Sequence, residues 1–257
     1  MNAIAILVKK EWTESLRNGK WIWLPIALCI LGISQPLSMY YLPQLLEAAG
    51  GLPEGAVIDI PTPYASEVLI GTLSQFALLG TLLFVLASMN SIAHERNNGS
   101  IVFVLVRPVS FVHYILSKWM SLLILFGVSF GLSYFLTWYY TVQLFGTVTL
   151  EKLVYSTLIY LLWIGFLIAL TLCISTFLRN GAGIAGLTIC IVAILALADM
   201  LIPAFMKWSP TQLQAEAGQI LVRSSSGELW MSLITTLLLT GCLLYIATKK
   251  MRSWSKI

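Results

Sequence analysis

From Trp21 to Leu46 no side chain carries a charge, and the same is true of Val68–Ala93, Trp119–Leu150, Leu153–Leu178 and Leu229–Thr248. A further run, Ala182–Met206, has a single acid, Asp199, near its far end. A helix needs about 20 apolar residues to cross the hydrocarbon of a bilayer, and each of these runs can supply them. Composition agrees: 10% of the residues are charged and the mean hydropathy is +0.88, against about 25% charged in a soluble domain. The expected fold is an all-α membrane protein with six transmembrane helices. The spans fall at about 21–43, 67–92, 118–142, 152–178, 182–206 and 228–248.

What joins the spans is equally informative. Residues 1–20 are broken by charge before any apolar core begins, so they do not read as a cleavable signal. Ile4, Val8, Trp12 and Leu16 make an apolar stripe at i, i+4 spacing, with Lys10, Glu14 and Arg17 opposite. This is the pattern of an amphipathic elbow helix lying in the membrane interface, with Trp12 at headgroup level. Residues 47–66 carry Gly50-Gly51, Pro53, Pro61 and Pro63, which favour a loop. Within the first span, Pro36 predicts a kink. The longest polar interruption between spans is Ser91–Lys118, SIAHERNNGSIVFVLVRPVSFVHYILSK, which holds both histidines of the chain.

Lysine and arginine counts orient the molecule. With the N-terminus in the cytoplasm, all of the fifteen basic residues except Lys152, Lys207 and Arg223 fall on the inner side. The positive-inside rule therefore predicts a multi-pass plasma-membrane protein with both termini cytoplasmic. Ser91–Lys118 then lies where ATP and soluble partners are.

Several chemistries find no support in the residues. No span has an ionisable group at its middle, as a proton- or sodium-coupled carrier would need. Glu67 and Asp199 both sit at outer ends. There is no H-E-x-x-H pair and no G-x-x-x-x-G-K-[ST] phosphate loop, and Phe135 replaces the last glycine of an incomplete G-x-S-x-G. The four cysteines, Cys29, Cys173, Cys190 and Cys242, all lie in apolar runs without a C-x-x-C pair. No catalytic residue, cofactor or metal is expected, and the chain does not read as an enzyme. Without a basic or acidic tail, nucleic acid is not an expected partner.

The cytoplasmic stretch resembles the first cytoplasmic connection of type-2 ABC exporter permeases. That pattern is a span ending in I-x-x-E-R, a turn with G-[ST], an apolar segment, P-V-S, and a lysine opening the next span. Here these are Ile92, Glu95, Arg96, Gly99, Ser100, the run Ile101–Val106, Pro108-Val109-Ser110 and Lys118. KKEWTESLRNGK, with Lys10, Glu11, Trp12, Glu14 and Arg17, is similar to the family's elbow helix. CISTFLRNGAGIAG is similar to its junction between spans four and five.

The resemblance implies a permease subunit driven by a separate ABC ATPase, facing a second permease copy or paralogue. In such permeases the element between spans 2 and 3 docks in the ATPase, which places Phe103, Leu105 and Val106 at a contact. Glu95 and Arg96 would contact the partner or brace the loop. Gly99 is expected to end the second span's extension in a left-handed conformation. Ser100 and Ser110 are expected to cap the segments after them, and Pro108 to turn the chain between them. Gly181 with Ala185, and Ala182 with Gly186, form small-x-x-x-small pairs suited to close helix approach, within the subunit or between two.

Two further readings remain open on the residues alone. One is a membrane scaffold, sensor or immunity protein that recruits a cytoplasmic partner without transporting anything. The other is a secondary transporter, disfavoured by the uncharged spans.

Overall fold

The first span is built on a stripe of Leu24, Leu28, Gly32 and Pro36, all buried and each four residues from the last. It belongs to α2 (Lys20–Ala48), which follows α1 (Ala3–Arg17) after a tight turn. Gly19, with φ +66°, makes that turn possible. The structure is a computed structural model and describes residues 3–48, 63–100, 110–222 and 229–254. Among these residues all regular structure is helical, with no strand, and six helices are long and apolar enough to cross a membrane.

The second span is a continuous helical rod from Ala65 to Asn97. It consists of α3 (Ala65–Gln75), a single π-helical turn (Phe76–Gly80), α4 (Thr81–Ser88) and α5 (Asn90–Asn97). The third is α6 (Phe111–Phe145), the fourth α7 (Leu150–Phe177), the fifth α8 (Gly181–Leu201) and the sixth α10 (Leu229–Trp254). Between the last two lies α9 (Gln212–Val222), inside the stretch 207–228 that the sequence presents only as a connection. It buries Leu213, Glu216, Ala217, Gly218 and Leu221, packing chiefly on α7 and α3.

The fourth span is the most enclosed, and it carries the aromatic centre of the bundle. Trp163 and Tyr160 are fully buried. Tyr160 stacks on Phe130 of α6 at 4.6 Å, and Phe76 in the π turn meets Phe130 edge-on at 5.3 Å. Lipid tails are as apolar as these side chains, so the hydrophobic effect does little to hold such helices together. Close packing and polar contacts between helices must do so. The seam between α2 and α6 has both. Ser133 donates to the Leu28 carbonyl at 2.5 Å, and Gly32 lies against Ser133 and Thr137 with no room for a larger side chain. Further contacts tie other pairs: Trp119 to the Gly165 carbonyl at 2.9 Å, and Tyr134 to Ser156 at 3.1 Å.

The fifth span, Gly181–Leu201, stops short of the 182–206 read from the sequence, whereas the other spans run longer than the sequence bounds. α6 has 35 residues, roughly 50 Å at 1.5 Å per residue, against about 30 Å of hydrocarbon. The helix is therefore longer than a straight crossing requires. Ser66 and Ser100 stand at opposite ends of the second span. Single cysteines there, in a chain lacking the native four, are expected to react with an impermeant maleimide from opposite sides of sealed vesicles. Reaction of both from one side would overturn the six-span arrangement.

Candidate coupling site

Three helices bring their polar residues to one point where α5 ends and α6 begins. From α1 come Lys10 and Glu11, from the last turn of α5 comes Glu95, and from α6 come Tyr114 and Lys118. Lys118, a lysine with no exposed surface, donates to both oxygens of Glu11 at 2.8 and 2.9 Å and to Glu95 Oε1 at 3.0 Å. Lys10 reaches the same Glu95 oxygen, and the Tyr114 hydroxyl donates to Glu95 Oε2. The Lys118 ammonium also stands 5.2 Å from the Tyr114 ring centre.

Two lysines and two glutamates balance in charge, which lets Glu95 and Lys118 be buried while Lys10 stays exposed at the edge. An unpaired ion in such a place costs several kcal/mol, whereas pairing with additional hydrogen bonds offsets that cost. Glu14 is close enough to join Glu11 and Glu95 in a carboxylate cluster, with oxygens within 4.8 Å of one another. The ammonium groups on Glu11 and Glu95 already provide the positive charge that a metal ion would bring.

The chain on either side of residues 101–109 is shaped to meet this node. α5 ends where Asn98 N–H bonds to the His94 carbonyl at 3.0 Å. Gly99 turns left-handed with φ +71°, and the Ser100 hydroxyl bonds back to the Glu95 carbonyl at 3.3 Å. At the far end Ser110 caps α6, its hydroxyl accepting from His113 N–H at 3.3 Å. Glu95 thus precedes the segment and Lys118 comes after it, and the two are paired. Phe103, Leu105, Val106 and Pro108 lie outside the described residues. The turn between spans four and five joins in: Asn97 donates to the Arg179 carbonyl at 3.2 Å, and Gly181 lies directly against the Asn90 amide. All three segments between or before the spans that the sequence singles out therefore meet at one end of the bundle.

Residues 5–234 match the model of a protein family described as ABC-2 family transporter protein. The chain belongs to the ABC-2 transporter family. It is also similar to an uncharacterized transmembrane protein, YxlG, of Bacillus subtilis (strain 168). The two are 37% identical over 228 residues, which is 89% of this chain and 88% of that protein. ABC-2 proteins of this kind are membrane transport components, and this one carries their six apolar helices.

In this ABC-2 family member the remaining candidate residues sort by face. On α1, Ile4, Leu7, Val8, Glu11 and Ser15 are at least partly covered, whereas Trp12 and Leu16 are exposed. Trp12 stacks on Trp21 at 4.6 Å, which joins the stripe to the start of the first span. Glu14 is half-buried and Arg17 exposed. Lys10, grouped with the outer face in the sequence, instead reaches inward to Glu95. Arg96 is half-buried. On α8, Gly181 and Ala185 face the bundle, while Ala182 and Gly186 are exposed. The node itself was not readable as a unit, because Glu11 and Lys118 are 107 positions apart. Its one signal in the sequence was an acid and a lysine flanking a connection between spans, with a Lys-Glu pair just before the first span.

Proposed function

We propose that this ABC-2 protein is the permease subunit of an ATP-driven exporter in the plasma membrane. Both termini are cytoplasmic, and a separate ABC ATPase docks on 91–118. The observation that carries the reading is the ion-pair node, buried at Glu95 and Lys118, that links the helices on both sides of residues 101–109 to each other and to α1. A segment pushed by a partner moves the spans only if it is rigidly fixed to them. The buried pairing of Glu95 with Lys118 supports such a fixture, and it favours bracing over a direct partner contact for Glu95. Energy must enter this way, since the chain has no phosphate loop and a partner shifts a conformational equilibrium only by contacting the two states differently. A second permease copy or paralogue completes the pathway, and the exposed pair Ala182 and Gly186 on α8 supports close approach there.

Leu105→Asp together with Val106→Asp is expected to abolish co-purification of the partner ATPase, because it would bury charge in an apolar contact. The folded permease should still be recovered. Export by the reconstituted pair is expected to survive collapse of the proton gradient and to stop with a hydrolysis-dead ATPase. Unchanged co-purification would remove the docking role of 101–109. Export that depended on the gradient alone would remove the exporter reading.

A further inference from the structure

At the same end of the bundle, away from the ion-pair node, the first turn of α6, the end of α7 and the last two turns of α10 enclose a groove of about 620 Å³. This is within the usual size of small-molecule sites. Its walls are of two kinds. Phe111, Phe177, Tyr245 and Ile246 are apolar, and the last two are exposed on the face that continues up the sixth span. Lys249, Lys250 and Arg252, with the hydroxyls of Thr248 and Ser253, form the polar rim, and no carboxylate is among the lining residues. Lys250 leans over the Phe177 ring at 5.3 Å from its centre, so one cation is already held against the groove floor. The Thr248 and Ser253 hydroxyls donate to the Tyr245 and Lys250 carbonyls at 2.7 Å each, leaving their oxygens available as acceptors.

We infer that this groove is a binding site for an anionic phospholipid of the inner leaflet. The cations would take the phosphate and the acidic headgroup, and the aromatic floor leading to Tyr245 and Ile246 would take the upper acyl chain. Charge and shape both favour a lipid over a soluble anion. A phosphate needs only the rim, whereas the apolar wall leads directly onto the lipid-facing side of α10. Each lysine beside an anionic headgroup contributes enough to tighten binding several-fold, and clustered basic residues at the cytoplasmic ends of helices are a recurrent headgroup site.

The test uses the full chain, purified in detergent and titrated with short-chain phosphatidylglycerol, phosphatidylcholine or inorganic phosphate. The readouts are thermal stability and native mass spectrometry. Phosphatidylglycerol is expected to raise Tm and to remain bound as a discrete adduct, where phosphatidylcholine and phosphate do neither. Lys249→Ala with Lys250→Ala should weaken that binding roughly ten- to thirtyfold. Lys250→Arg should retain it, and Lys9→Ala, on a cytoplasmic basic residue outside the groove, should leave it unchanged. Equal response to phosphatidylcholine or phosphate would overturn the proposal. So would retention of the adduct in the double variant, or an equal loss in Lys9→Ala.

Discussion

Lys118→Ala is expected to destabilise the protein by about 3–5 kcal/mol, the usual effect of removing one partner from a buried ion pair. The side chain has no exposed surface and bonds to both Glu11 and Glu95. Its removal leaves two carboxylates facing each other with only Lys10 between them. The loss should appear as a lower unfolding midpoint in detergent and a lower yield of monodisperse protein. Glu95→Ala combined with Lys118→Ala should cost less than the two single changes together. What remains is Lys10 beside Glu11, already 3.6 Å apart and of opposite charge. A loss below about 1 kcal/mol for Lys118→Ala would place the node among ordinary surface ion pairs and remove its role as a fixture.

Gly32→Ala is the second substitution expected to have a large effect, although it adds only one methyl group. A Cβ at Gly32 would come within 2.5 Å of Thr137 Oγ1 and 2.6 Å of Ser133 Oγ. Those hydroxyls are committed, Ser133 to the Leu28 carbonyl and Thr137 to the Ser133 carbonyl at 2.9 Å. The methyl would therefore push α2 off α6 along the seam that seats the first span. Overpacking of this kind costs about 1–3 kcal/mol, and Gly32→Leu should cost more. Gly131→Ala is the matched control: it lies on α6, has nothing within 4 Å of its would-be Cβ, and should gain slightly from alanine's helix propensity. Equal midpoints for Gly32→Ala and Gly131→Ala would show that the seam yields freely.

Much of the fold was readable because the bilayer simplifies the problem. An uncharged run of sufficient length has one stable use, so the six spans emerge from spacing alone. The Gly99 turn and the Ser110 cap were also local, since each depends on a backbone requirement that few residues meet. What the residues did not reveal depends on choice of neighbour. A helical wheel of α1 finds the stripe Ile4, Val8, Trp12 and Leu16, but lipid and protein both accept an apolar stripe. Nothing in the wheel says that Glu11 faces Lys118. α9 escaped for a related reason. Its larger apolar residues are confined to Leu213 and Ile220–Val222, with Gln212, Gln214, Glu216 and Gln219 around them, and it packs on α3 and α7. The π turn at Phe76–Gly80 has no sequence signature at all.

The neutrality of the node also bears on how the chain is made. Orientation during insertion is read from lysines and arginines, while acidic residues contribute little. In the proposed orientation, Lys10 and Lys118 count as free cations before α1, α5 and α6 meet, and both favour the inner side. Once the helices assemble, Glu11 and Glu95 cancel both charges. In that orientation the same two lysines would serve first as address labels for the inserting polypeptide and afterwards as bolts between assembled helices.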